Sequence, residues 1–492
     1  MKIIFSFILS FLTLLSFSQS IDDALRYSKS GLFGSARYVS MGGAFGALGG
    51  DISAISDNPA SLGVFMYSEF DLTTSIFDVY TDTRYLGFNS YDNKTTFHLD
   101  NIGFVGVAKL NNNDWKVLNY GFSYKKTNNY NQNIYAQGTN NNNSITDYFA
   151  NAANGTTLND LDNNYDNAYL GDNAYQTFLI DPITNNPNNT EYKTAYNNYG
   201  ELQINNIKNS GYKSDYSFSL GTNYRDKLYF GMSFNYSDLK YTYVSHFKEQ
   251  DHSKTIDNFK AMEYIDKYTT EGYAYGFKIG IIVRPVKWLR MAYSFHTPVS
   301  YRLNDNYNHV IQSWGVEDKG VVFNPTAQSS YGYYEYEIYT PAKMMGALGI
   351  IIGKVATIGI EYEYLDYSSS RIKSYTYGSD FSNENSLIKQ SLKAGHNAKI
   401  GLEYRLGQIS LRSGVSYFDT PYRPAEVNNK AYTIYYNGGL GVNMGYFYTN
   451  FAYSHGQTTS YYFPYQIDGQ EVEPYKINKN TNSYIATLGV RF

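Results

Sequence analysis

Nine charged residues occupy places where a charge is unusual. Arg225, Lys278, Arg290, Glu361, Glu363, Glu403, Arg405, Arg412 and Arg491 fall on or beside stretches whose alternate positions are large and apolar. If those stretches are strands, the charges share the opposite face with glycine and small polar residues. Three consecutive strands then supply Glu361 with Glu363, Glu403 with Arg405, and Arg412. Charges on an enclosed face must find counter-charges, because an uncompensated buried ion is strongly destabilising. Two chemistries fit. One is a ladder of ion pairs holding an internal element, each pair modest where water screens it. The other assigns a basic member, such as Arg290, Arg405 or Arg412, to a carboxylate ligand or to gating of that internal element.

Other chemistries find little support in the residue types. The seven histidines, at 98, 246, 252, 296, 309, 396 and 455, show neither HxxH nor HExxH spacing, so the sequence indicates no metal and no haem ligation. Asp160-Leu161-Asp162-Asn163-Asn164 begins like a calcium loop, but Tyr165 stands where such a loop needs glycine. There is no cysteine, no phosphate-binding loop and no GxSxG turn. No nucleophile and no cofactor is therefore nominated, and the expectation is a protein that is not an enzyme. A net charge of -4 gives no basic field for nucleic acid.

The elements that carry these charges are strands. Around Arg290 one face reads Leu289, Met291, Tyr293, Phe295 and the other Arg290, Ala292, Ser294, His296. The same alternation sets Ile358, Ile360, Tyr362 and Tyr364 against Gly359, Glu361 and Glu363, and Ile400, Leu402 and Tyr404 against Lys399, Gly401 and Glu403. A soluble sandwich would bury the apolar face, whereas a membrane barrel shows it to lipid and lines its lumen with the polar one. Composition agrees with the second. The 492 residues include 55 Tyr and 29 Phe, only 17% are charged, and the mean hydropathy is -0.45. That combination suits a polar lumen and loops with an aromatic-rich outer face.

Connection lengths separate the two architectures. Strands are expected near 67–80, 97–110, 115–130, 211–225, 227–246, 271–284, 287–303, 335–353, 355–370, 392–406, 408–420, 432–444, 446–463 and 482–492, an even set of about 14. The turns after even-numbered strands are tight. Those after odd-numbered ones are long, the longest being an Asn-rich stretch at about 131–210. One trimmed end and one elaborated end is the habit of an outer-membrane β-barrel, with short periplasmic turns and long extracellular loops. The aromatic runs Tyr241-Thr242-Tyr243, Tyr333-Tyr334-Glu335-Tyr336 and Tyr461-Tyr462-Phe463 are expected at strand ends, in the headgroup girdles. At the other extreme of the chain, Lys2, the apolar run Ile3–Phe17 and small residues at Ser16, Ser18 and Ser20 describe a signal peptide over 1–20, cleaved near 18–20. The run is shorter than the ~20 residues a spanning helix needs. The last strand puts Tyr484, Ala486, Leu488, Val490 and Phe492 on one face, and its terminal Phe resembles the signal read by the barrel-assembly machinery of outer membranes.

Residues 21–66 do not alternate. They contain Ser40-Met41-Gly42-Gly43-Ala44-Phe45 and, a little later, Asp57-Asn58-Pro59-Ala60-Ser61-Leu62. This pair of segments resembles the N-terminal hatch of the long-chain fatty acid transporter family, which includes the aromatic-hydrocarbon uptake channels. Thr297-Pro298, Thr340-Pro341-Ala342-Lys343 and Gly401-Leu402-Glu403-Tyr404-Arg405 look like that family's strand motifs. The resemblance implies an all-β fold, a transmembrane antiparallel barrel of about 14 strands over 67–492 with a hatch, 21–66, inside the lumen. It implies a monomer in the outer membrane of a Gram-negative bacterium, among its lipids and lipopolysaccharide. The implied function is passive uptake of hydrophobic small molecules, fatty acids or aromatic hydrocarbons, by hatch rearrangement and lateral escape. Gly42, Gly43, Ala44, Asn58, Pro59 and Ala60 become the gating residues. Physically, the glycines permit close backbone approach and Asn-Pro starts a turn. Ser61 stands where the family often has glycine, and the Asn-rich stretch at 128–209 has no counterpart in the family. A general solute porin, a surface adhesin carried by the long loop, and an outer-membrane hydrolase are the rival readings.

Overall fold

The computed structural model describes residues 21–492 apart from 112–113, 164–169, 197, 255, 317–321 and 376–379. The expected signal peptide, 1–20, lies outside the described residues. Fourteen antiparallel strands close into a barrel. They are β1 (Glu69–Tyr85), β2 (Phe88–Lys109), β3 (Trp115–Asn129), β4 (Glu201–Tyr224), β5 (Leu228–Gln250), β6 (Phe259–Val286), β7 (Leu289–His296), β8 (Lys343–Ile352), β9 (Ala356–Asp366), β10 (Ala394–Leu406), β11 (Ile409–Phe418), β12 (Thr433–Asn443), β13 (Phe447–Tyr462) and β14 (Tyr475–Arg491). The ring closes where β14 pairs with β1, Glu69 opposite Arg491 and Arg84 opposite Lys476. Strands β7 and β8 stop near Pro298 and Pro341, which cannot donate to a ladder. Beyond them pairing resumes between Ser300–Val316 and Gly332–Tyr339. No described helix is long and apolar enough to cross a membrane.

The alternation has the expected sense. Met291 and Tyr293 are each 47% exposed while Ser294 is fully buried, and Ile400 is 50% exposed beside Lys399 at 5%. Leu220, Met232, Ile279, Phe451 and Leu488 continue the exposed apolar face around the barrel. A belt of this extent has no favourable place in water, and hydrocarbon is the solvent that suits it.

Three features depart from the expectation. The first loop is absent: β1 and β2 run on to a two-residue turn at Leu86-Gly87, whose φ angles are +45° and +86°. Likewise β4 starts ten residues earlier than expected, and β6 starts twelve earlier, at Phe259. These extensions stand above the apolar belt, so outward positions such as Asp82 and Arg84 turn polar and the alternation that marks a strand disappears. Secondly, the tyrosine runs are not all girdles. Tyr241, Tyr243 and Tyr336 point inward and are buried, joining Tyr27, Tyr85, Tyr130 and Tyr475 in an aromatic core that fills the lumen at the long-loop end. Alternation explains this: Tyr241 and Tyr243 share the inward phase of β5 with Thr242 between them, and Tyr336 holds the inward phase of its own strand. Thirdly, the Asn-rich stretch is folded. Gln132–Asn140 pairs with the first residues of β4. Helix Ile145–Ala153 then opens on a capping box between Ser144 and Asp147, and its Ile145 and Phe149 pack with Phe247, Phe259, Ile311 and Tyr465.

Inside the barrel lies the N-terminal segment. It comprises α1 (Ile21–Ser28), α2 (Ala36–Ser40), α3 (Ile52–Ile55) and a 3-10 turn, Pro59–Val64. Helix α1 contributes Ala24, Leu25 and Tyr27 to the aromatic core. Helix α2 packs on β11 to β14, and the 3-10 turn on β3 to β6. Met41, Phe45, Ile52 and Leu62 are fully buried, the first two packing with Ala452 and Ile485 of the wall and the last two with Val105, so the segment fills the lumen against the inner face of the barrel.

Candidate functional site

The two glycine- and proline-containing segments of the plug are joined to each other. Gly42 and Gly43 hold φ of +63° and +74°, which turns the chain back after α2. Asn58 then does two jobs. Its Oδ1 accepts from the Ala60 amide at 3.0 Å, capping the 3-10 turn, and its Nδ2 donates to the Gly46 carbonyl at 2.7 Å. Pro59 occupies the first position of that turn, where its missing N–H is no loss. The wall is shaped to receive these backbones. A Cβ on Gly401 would lie 2.3 Å from the Met41 carbonyl oxygen, and one on Gly280 would lie 1.8 Å from Asn58 Oδ1. Ala44 is buried in the plug, and its carbonyl meets Gly359 of the wall in the same way.

From this joint a chain of charges runs through the wall. The Gly46 amide donates to Glu361 Oε2 at 2.9 Å, and Glu361 pairs with Lys399 at 2.8 Å. Lys399 also pairs with Glu363 at 2.8 Å, and Glu363 with Lys343 at 3.3 Å. Lys343 returns to the plug at Asp57, 3.5 Å away, next to Asn58. The ladder is thus a closed circuit from one plug segment through β8, β9 and β10 to the other. Asp57 additionally receives Lys125 of β3 at 3.3 Å and the Tyr38 hydroxyl, while its backbone carbonyl accepts from Ser294 and His296. Burial disfavours the Asp57 carboxylate, but Lys125, Lys343 and Lys399 outweigh that and hold it ionised well below the usual carboxylate range.

A second cluster sits nearer the short turns. Glu403 accepts from three guanidinium groups: Arg37 of α2 at 2.9 Å, Arg412 at 2.7 Å and Arg405 at 2.6 Å. Arg37 also donates to the Gly50 carbonyl, and Arg412 to Asn450. Nearby, Arg491 pairs with Glu69 at 2.8 Å. These residues border a cavity of about 400 Å³ between the plug and the wall. Arg290 stands apart from both clusters: it donates to the Leu48 carbonyl of the plug and lies 5.7 Å from the Tyr229 ring centroid.

No family model and no curated protein matches the sequence. Solved structures do. A Pseudomonas aeruginosa FadL homologue superposes with a TM-score of 0.56 at 11% identity, covering 94% of this chain and 100% of its own. The toluene transporter TbuX of Ralstonia pickettii gives 0.50 at 12% identity, covering 94% and 99%. This chain has the fold of the FadL-type channels. With so low an identity the likeness concerns the fold, over 94% of the chain.

Within this FadL-type fold most sequence-nominated residues are brought together, and some are not. Glu361 and Glu363 meet in one ladder, Glu403, Arg405 and Arg412 in another. Lys278 pairs with Asp215 at 3.1 Å. Arg225 is a correction: it lies in the β4–β5 turn at φ +54°, more than half exposed, and pairs with Asp114 outside the lumen. Tight turns force such a residue out of the strand's alternation. Tyr484, Leu488 and Phe492 share the exposed face of β14, with Val490 half-buried among them, and Phe492 stacks near Phe104 at 6.3 Å. Among the described residues no group of three His, Asp or Glu is arranged to hold a metal, and the calcium-like stretch at 160–165 falls partly outside them. Sequence reasoning missed Arg37, Asp57 as a charge, Lys125 and Lys399. Lys125 and Lys399 were within reach, since both keep the inward phase of their strands. Arg37 and Asp57 belong to a segment without period.

Proposed function

We propose that this protein is an outer-membrane channel for passive uptake of hydrophobic small molecules, with residues 21–66 acting as its gate. The observation that carries this reading is the barrel with a continuous exposed apolar belt whose lumen holds a segment seated by its own charges and glycine contacts. The fold likeness to a FadL homologue and to a toluene transporter supports it. In this reading the long-loop end faces outward, ligand enters past the aromatic core, and displacement of the plug lets it leave sideways into the membrane. The terminal strand with Phe492 serves recognition by the assembly machinery, and lipopolysaccharide surrounds the outer half. The test is uptake of a radiolabelled apolar probe by cells making the protein, against cells making a variant whose plug is tethered by a disulfide to the wall. Equal uptake by both would overturn the reading.

A second reading is favoured by one specific observation, the charged lining of the lumen cavities. A polar-solute porin would explain those side chains without an apolar ligand. Liposome swelling separates the two: with the plug seated, small sugars should not enter, and rapid swelling would favour the porin.

A further inference from the structure

The ladder described above is not equally strong along its length, and its weakest members surround an open space. Lys399 holds Glu361 and Glu363 at 2.8 Å each, whereas Asp57 sits 3.3 Å from Lys125 and 3.5 Å from Lys343. Asp57 is also the one acid of this ladder carried by the plug; the others belong to the wall. Beside it lies a cavity of about 140 Å³. Five lysines line that cavity, at 125, 213, 278, 343 and 399, against three carboxylates, Asp57, Asp215 and Glu363. Lys213 is buried there and donates to two plug carbonyls, Tyr27 at 2.9 Å and Lys29 at 2.7 Å. The wall therefore presents a surplus of ammonium groups, which the plug meets with one carboxylate and several carbonyls.

We propose that Asp57 is an internal counter-ion that a ligand's carboxylate replaces, so that an acid-bearing amphiphile releases the Asn58-Pro59 turn from its seat. The argument is one of charge balance. If Asp57 left alone, Lys125 and Lys343 would stay buried with too little negative charge, which is strongly unfavourable. An incoming carboxylate restores the balance and makes the unseated state accessible, while the cavity's Leu32 and Leu365 receive the adjoining carbons. A neutral hydrocarbon of the same size offers nothing to the lysines. Because a ligand shifts an equilibrium only by its differential affinity for the two states, the acid group itself is the trigger. The joint at Asn58 then transmits the change, since the residue after Asp57 holds both the 3-10 turn and the Gly46 carbonyl.

This rests on the uptake reading, and the two can fail separately. The chain contains no cysteine, so a single introduced one is a clean reporter. In full-length protein reconstituted in liposomes, Ala54→Cys places a thiol on α3, buried when the plug is seated. The measurement is its labelling rate by a water-soluble maleimide with dodecanoate, with methyl dodecanoate, or with acetate. Dodecanoate should speed labelling about tenfold, with the ester and acetate leaving it unchanged. Asp57→Asn in the same background should label fast without ligand and respond no further. Lys125→Met should stay seated through Lys343 yet lose most of the response to dodecanoate. Equal acceleration by acid and ester, or a folded Asp57→Asn as protected as the parent, would overturn the proposal. Should Asp57→Asn not fold, the acid-ester comparison and Lys125→Met decide alone. Uptake of labelled toluene and dodecanoate is scored in parallel. A plug that responds to acid without any uptake would sink the channel reading and leave the switch standing.

Discussion

At the scale of single residues, Glu403 is the most consequential side chain outside the Asp57 circuit. It is nearly fully buried and accepts from Arg37, Arg405 and Arg412. In Glu403→Gln the guanidinium groups of Arg37 and Arg412 would lose their charge partner, which typically costs about 3–5 kcal/mol for a buried pair. Arg405 is substantially exposed, and its share of that loss is small. The loss falls on plug seating, because Arg37 is on the plug. Planar-bilayer recordings should therefore show a quiet wild-type barrel and a leaky Glu403→Gln barrel; a variant as quiet as the parent would contradict the assignment. Asp57 gives a pH prediction of defined sign. Its folded value is depressed, so the stability it contributes is complete above the ordinary Asp value of about 4 and fades as pH falls through the depressed value. Seating through Asp57 should be constant from neutral pH down to about 4 and weaken only below that. Loosening of the Ala54→Cys reporter already at pH 6 would point to another group.

At the scale of elements, the plug and the wall are fitted to each other through glycines. Gly401→Val should drive its side chain against the Met41 carbonyl, a backbone atom that cannot step aside without moving the plug. Overpacking of this kind costs about 1–3 kcal/mol. The expected result is a barrel that keeps its heat-modifiable mobility on gels while its plug labels faster. Gly346→Ala is the matched control, because nothing lies within 4 Å of a Cβ there. Such fits also show what the sequence could and could not reveal. The period-2 alternation around Arg290, Ile358 and Arg405 announced strands, their faces and the inward position of Glu361, Glu363 and Glu403, since lipid on one side and lumen on the other impose opposite chemistry on adjacent residues. Above the belt both sides of a strand are polar or aromatic, which is why Thr81–Tyr85 and Glu201–Ser210 looked like loop. Partners such as Arg37 with Glu403 lie far apart in sequence, and neither the helix period nor the strand period links them. The glycine and Asn-Pro segments marked where the plug turns; that Asn58 ties the two together required the fold.

At the scale of the whole molecule, the Asn-rich insertion becomes a structural cap. Its strand Gln132–Asn140 extends the barrel, and its helices rest on Phe247, Phe259, Ile311 and Tyr465 of the long-loop end. Glu249 fastens the two parts, accepting from Ser144 at 2.6 Å and from the Ile145 amide at 3.0 Å. Asn140 stands directly opposite Glu201 in the ladder, so residues 141–200 can be removed and the ends joined by a two-residue Asn-Gly turn without displacing either strand. Two roles for the cap predict different outcomes. If the barrel is only a mount and the cap an adhesive surface, deletion abolishes binding to the target surface and leaves transport absent before and after. If the cap shields the mouth of a channel, the shortened protein should still fold, and dodecanoate uptake should persist with a change smaller than about tenfold, because the ladder residues belong to the plug, to β3 and to β8 to β11, none of which is removed. Complete loss of uptake in a folded, cap-deleted barrel would place the ligand's obligatory first site in the cap and would require the entry route to be redrawn.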